Sequence, residues 1–211
     1  MKKYKLYLLD FDGTAFDTVD SLVDVFNMGF ERIGRTCSIE DVKVYMHHSI
    51  EEVVGIAKIK PEEISPFVDG IMDGLRCDLS LEKIKPYYDL IKFIEIAAKL
   101  RSFVGIVSNN SDDHIARVFA LNDISTKDFK CIIGHSEKRR TKPYPDMLEY
   151  AVEISKLDKK DICYIGDSLQ DAEAASAANI DGYLLDRDDI YLNSKFTRIK
   201  SLLDMFDVED K

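Results

Sequence analysis

Tyr4-Lys5-Leu6-Tyr7-Leu8-Leu9, residues 4–9, is a short and mostly apolar run that stops abruptly at Asp10-Phe11-Asp12-Gly13-Thr14. A continuous apolar run of this length, closed by acids and a turn-forming glycine, reads as a strand buried on both faces. Downstream, Val19, Leu22, Val23, Phe26, Phe30 and Ile33 recur at helical spacing, with Asp17 or Thr18 placed to cap the start. Three more amphipathic segments follow near 39–47, 50–58 and 61–76, the last opened by Pro61-Glu62-Glu63. No strand pattern interrupts residues 16 to about 80, so this stretch reads as an all-helical insert.

From Pro86 onward the pattern alternates. Helices are expected near 86–100, 112–121, 145–156 and 169–179. Strands are expected at Phe103–Val107, Lys130–Ile133, Ile162–Ile165 and Gly182–Leu185. Such alternation predicts an α/β fold with a Rossmann-like parallel sheet. Residues 1–15 and 82–211 form its core, and residues 16–81 form the inserted helical cap.

Three of the strands run into polar groups: Asp10 and Asp12, Ser108 and Asn109, and Gly166-Asp167. Ligands bind at the carboxyl ends of strands in open α/β sheets, so these groups are expected to converge. Asp10 and Asp12 flank one residue and point the same way in an extended segment. Asp167 and Asp171, four apart, share one face of a helix that starts near Ser168. Four carboxylates together repel and raise one another's pKa unless a cation sits among them. All-oxygen ligands with no neighbouring His or Cys favour Mg²⁺ over zinc. Lys142, before Pro143-Tyr144-Pro145, is the natural positive partner. Acids, one metal, a hydroxyl and a lysine suit a phosphoryl group.

These residues resemble the haloacid dehalogenase superfamily over nearly the whole chain. Asp10-Phe11-Asp12-Gly13-Thr14 is similar to its DxDGT motif, Ser108-Asn109 to its second motif, Lys142-Pro143-Tyr144-Pro145-Asp146 to KPxPD, and Gly166-Asp167-Ser168-Leu169-Gln170-Asp171 to GDSxxD. The resemblance implies a phosphatase with Asp10 as nucleophile and Asp12 as general acid and base. It implies Mg²⁺ held by Asp10, Asp12 (through its backbone carbonyl) and Asp167. Asp171 would act through a water or simply as an acid at a helix start. Ser108, with Asn109, and Lys142 would bind phosphate.

The insert resembles the cap of the phosphoglycolate phosphatase and β-phosphoglucomutase subfamily. Phe16 and Asp17 would lie at its hinge, Asp17 also serving as a helix cap. His47 and His48 either read the substrate or belong to an exposed loop. Two positions depart from the commoner pattern: Ala15 after the first motif, and Asp89 where a glycine often follows Pro86-Tyr87-Tyr88. The expected substrate is a small phosphorylated metabolite such as phosphoglycolate or a sugar phosphate. A phosphomutase is the alternative, ahead of a phospho-ligand-binding or signalling protein. Asp12 disfavours a dehalogenase.

Bulk properties fit this reading. A net charge of −10 and a pI near 4.9 argue against nucleic-acid binding. Lys138-Arg139-Arg140 is too small a basic cluster to change that and reads as a solvated turn. No apolar run reaches the ~18 residues a membrane helix needs. Cys37, Cys77, Cys131 and Cys163 are scattered, without a zinc or disulfide pattern, and Cys131 and Cys163 read as buried thiols. The expectation is a cytoplasmic monomer or homodimer.

Overall fold

A computed structural model describes residues 1–46 and 48–207, and at Asp78 the backbone alone. The chain divides into two compact units, one made of the residues up to Phe16 and from Pro86 onward, the other of Asp17–Lys85. The first unit begins with β1 (Leu6–Leu9) and β2 (Phe16–Asp17), which carries the chain into the second unit. The second unit holds α1 (Val19–Glu31), α2 (Ile39–Tyr45), α3 (Ile50–Ile56), α4 (Ile64–Arg76) and α5 (Asp78–Leu81). After β3 (Lys85–Pro86) the order is α6 (Tyr88–Lys99), β4 (Phe103–Ser111), α7 (Asp112–Leu121), β5 (Ile132–His135), α8 (Asp146–Ser155), β6 (Ile162–Gly166), α9 (Leu169–Ala178), β7 (Asp181–Leu185) and β8 (Thr197–Ile199).

Six strands form one sheet in the order β5-β4-β1-β6-β7-β8, and every pair is parallel. β1 is central because its residues alternate between two buried faces. Leu6 and Leu8 pack with Met147, Leu148, Ile162, Tyr164, Ala174 and Ala175. On the other face the Tyr7 ring meets Phe93 at 5.4 Å and Phe206 at 5.6 Å. Burying each such side chain stabilises the fold by roughly 1.5–3 kcal/mol. The chain order reverses across β4-β1-β6, so the carboxyl ends of those three strands meet at a switch point. Leu9 lies opposite both Ile106 and Ile165, which brings Asp10, Ser108 and Asp167 to the same edge.

The second unit has its own core of Val25, Phe26, Phe30, Val42, Tyr45, Val53, Phe67 and Ile71. α1 and α4 pack closely because Gly70 lets the α1 backbone at Met28 and Gly29 come into contact, where a Cβ would collide. Ser38 with Asp41, and Ser49 with Glu52, form capping boxes that satisfy the first N–H groups of α2 and α3.

Several element bounds differ from expectation for local reasons. β1 starts at Leu6, not Tyr4, because the Tyr4 N–H donates to the Tyr7 hydroxyl (3.2 Å). α6 starts at Tyr88 because Tyr87 N–H is taken by Ala15 O (3.0 Å). β4 continues through its polar end to Ser111, with a register slip against β5 between Val107 and Ser111. Cys163 is buried, but Cys131 is only partly so and precedes β5 by one residue. The basic cluster is not a solvated turn throughout. Arg140 pairs with Asp146 at 2.9 and 3.0 Å, and Arg139 stacks its guanidinium on Tyr150 (4.3 Å). No described helix is long and apolar enough to cross a membrane.

Candidate active site

Asp10 leaves the end of β1 with its backbone N–H bonded to Ile165 O of β6 (2.9 Å). Its carboxylate meets Lys142, which arrives from the loop before α8. Lys142 Nζ donates to Asp10 Oδ1 (2.5 Å), Asp171 Oδ1 (2.7 Å) and the Tyr164 hydroxyl (2.9 Å), which accounts for its three hydrogens. Burial acts to lower the Lys142 pKa, but the charges of Asp10 and Asp171 outweigh it and hold the ammonium form. Lys142 is itself fixed by Asn109, whose Oδ1 accepts from Lys142 N (3.0 Å) and whose Nδ2 faces Lys142 O (3.5 Å).

Both oxygens of Asp171 are engaged. Oδ1 accepts from Lys142 and lies 3.0 Å from the Tyr164 hydroxyl, whose one hydrogen is also within reach of Val107 O (3.0 Å), while Oδ2 accepts from Ser168 N (3.1 Å) and Ser168 Oγ (2.5 Å) in the capping box of α9. Burial would raise its pKa, but Lys142 and Ser168 hold it below the ordinary carboxylate range. Asp10 and Asp167 go the other way. Burial, then the Asp171 charge, raises Asp10 to about 7 against the pull of Lys142. Burial followed by the charges of Asp171 and Asp10 raises Asp167 well above its usual value.

Carboxylate oxygens of Asp10, Asp167 and Asp171 lie within 4.8 Å of one another, a grouping able to hold a divalent metal ion. Three hard oxygen donors carrying more negative charge than one ammonium balances fit such an ion. Within that grouping Asp171 also accepts from Lys142 and Ser168, and Asp10 from Lys142. Gly13 makes this approach feasible: it has φ +68°, and any Cβ there would collide with the Asp167 carboxylate.

The Asp12 charge also pushes the Asp10 pKa up. Asp12 Oδ2 accepts from Asn110 Nδ2 at 2.6 Å. The His114 imidazole, edge-on to Phe11 (6.0 Å), is close enough for the Asp12 charge to act on it. Burial nonetheless keeps the His114 pKa below its usual value, so the ring is neutral near pH 7. Ser108 is buried at the end of regular β4 pairing, and its Oγ accepts from Asn110 N (3.1 Å).

Thus Asp10, Lys142, Asp167 and Asp171 come together, with Asn109 gripping the Lys142 backbone. Phe16 is wholly buried, stacked on Phe11 (4.4 Å) and Phe119 (5.6 Å). Asp17 Oδ1 accepts from Val19 N (3.2 Å), a local helix-start contact, whereas Thr18 makes no side-chain cap bond. His48 is exposed and pairs with Glu52 (3.5 Å). His47 lies outside the described residues. Tyr164, Asn110 and His114 were not singled out from the sequence. A hydroxyl within the buried run Ile162–Ile165 was the available signal for Tyr164, since a buried hydroxyl needs a partner. For His114 there was none.

Comparison with known proteins gives a consistent family. A family model described as haloacid dehalogenase-like hydrolase matches residues 7–185. Among curated relatives, the pyrophosphatase PpaX of Listeria innocua is 28% identical over 181 residues, covering 83% of this chain and 80% of that protein. A phosphoglycolate phosphatase of Nitrosospira multiformis is 24% identical over 191 residues, covering 82% and 79%. Among solved structures, a haloacid dehalogenase-like family hydrolase from Streptococcus pneumoniae superposes with a TM-score of 0.81 at 16% identity, covering 97% of each chain.

Proposed function

The chain belongs to the haloacid dehalogenase-like hydrolases, and from that premise we propose that it is a Mg²⁺-dependent phosphatase acting on a small phosphorylated metabolite through a phosphoenzyme on Asp10. The observation that carries the reading is the single buried ammonium of Lys142 shared between Asp10 and Asp171 at the switch point of the sheet. Mg²⁺ bound by Asp10 and Asp167 would neutralise the carboxylates that otherwise repel an incoming phosphate.

In the first step an Asp10 carboxylate oxygen attacks phosphorus, and the bond from phosphorus to the ester oxygen breaks. The proton on Asp12 passes to that ester oxygen, leaving Asp12 ionised. In the second step Asp12 takes a proton from water as its oxygen attacks phosphorus, and the bond to Asp10 breaks. Inorganic phosphate leaves and Asp12 is again protonated. Lys142 holds Asp10 in place through both steps. Its bond to the neutral Tyr164 hydroxyl is the one it can exchange for a phosphate oxygen at least cost. Ser108, at the neighbouring strand end, offers a further donor to phosphate.

We assign the helical unit the role of a cap that selects the substrate. Phosphoglycolate, sugar phosphates and pyrophosphate are the first compounds to test, since relatives carry the names phosphoglycolate phosphatase and pyrophosphatase. The experiment is release of inorganic phosphate from such a panel with Mg²⁺ and with EDTA. Release that requires Mg²⁺ and ranks the substrates supports the reading. Folded protein that releases phosphate from none of them overturns it.

A further inference from the structure

We infer that Asn110 is a positioning residue whose amide fixes which oxygen of the Asp12 carboxyl carries the proton delivered to the leaving group. The inference rests on the phosphatase reading above. Asn110 Nδ2 donates to Asp12 Oδ2 at 2.6 Å. An N–H donor needs an acceptor lone pair, and within a carboxyl group the protonated oxygen is the poorer acceptor. The bond therefore keeps Oδ2 as acceptor and places the proton on Oδ1. It also fixes the rotation of the carboxyl plane, which sets the direction in which that proton points.

Between Val107 and Ser111 the register of β4 against β5 slips. Ser108 Oγ takes the Asn110 N–H, and the adjacent Asn109 is held by the Lys142 backbone. Asn110 is thus braced by a local bond and by its neighbour's long-range one.

The test compares kcat/KM for an alkyl phosphate and for p-nitrophenyl phosphate in wild-type and Asn110→Ala protein. An alkoxide leaving group needs the proton; p-nitrophenolate departs without it. The alkyl ester should lose about 10- to 100-fold, part of what a positioned general acid contributes, and the aryl ester less than about 3-fold. Both rates come from one preparation, so the active fraction cancels in their ratio. Equal loss on the two esters, or no loss on either, overturns the inference while leaving the phosphatase reading intact. Wild-type protein that releases phosphate from neither ester, or Asp10→Asn protein that still does, overturns the phosphatase reading and the inference with it.

Discussion

Asp89 is fully buried at the start of α6 and receives four donors: Arg187 Nη1 (2.9 Å) and Nη2 (3.0 Å), Ser201 Oγ (2.7 Å) and Leu202 N (2.9 Å). Asp10 is also buried, but it shares one ammonium with Asp171 and faces the charges of Asp12 and Asp171. Burial pushes both pKa values up. At Asp89 the bonds from Arg187 and Ser201 outweigh burial and hold the group below the usual carboxylate range; at Asp10 burial wins, and the pKa reaches about 7. Where each charge has its own counter-charge the fold is building scaffold. Where acids outnumber cations it has left room for a metal ion, a chemical role that stability alone does not explain.

The sharpest way to break this contrast is to neutralise one acid on each side. Asp10→Asn removes the proposed nucleophile and should lower phosphate release by about 10³-fold or more. Because it also removes a like charge from the cluster, its thermal midpoint should not fall below that of wild type. Residual turnover near the wild-type rate would dissolve the distinction between the two carboxylates. On the scaffold side, Arg187→Ala leaves Asp89 buried without its cation and should cost about 3–5 kcal/mol in urea denaturation. Adding Asp89→Ala to that variant should recover most of the loss, since removing both members of a buried pair is far less costly than removing one. A single variant as stable as wild type would show that Asp89 is not held by charge matching.

The two acids also differ in how far the sequence exposes them. Asp10, Asp12, Asp167 and Asp171 sit at strand and helix ends in patterns whose period and position put them at one sheet edge, so local rules reach them. The parallel order of the sheet follows from the same alternation. The Asp89–Arg187 pair spans 98 residues and joins the start of α6 to the loop after β7, and no local pattern links such partners. In the sequence Asp89 stands out only as an acid where glycine is commoner. Thr197–Ile199 was missed because three residues with a charge in the middle carry no strand period. Nor does any local pattern point to Asn110, whose partner Asp12 lies 98 residues away in the chain.

A smaller effect, in pH rather than in rate, tests both carboxylates at once. Asp10 has its folded pKa raised from 3.8 to about 7. Between those values the folded state binds the proton more tightly than the unfolded chain, so this group makes stability fall as pH rises from about 4 to 7. Asp89 has its folded pKa depressed, so its contribution is complete above about pH 4 and is lost as pH falls through the folded value. In EDTA, thermal stability should therefore peak in mildly acid solution and decline toward neutrality. Mg²⁺ bound among the carboxylates inverts the first trend by favouring their ionised forms. Its stabilisation, up to about 2.7 kcal/mol at 100 times its Kd, should be larger at about pH 7.5 than at about pH 5, where protons compete for Asp10 and Asp167. Asp167→Ala should shrink the Mg²⁺ effect at both pH values and leave the acid limb set by Asp89 in place. If Mg²⁺ stabilises the wild type equally at the two pH values, the excess charge at Asp10 is not what the ion answers. In that case the two buried aspartates differ in geometry alone.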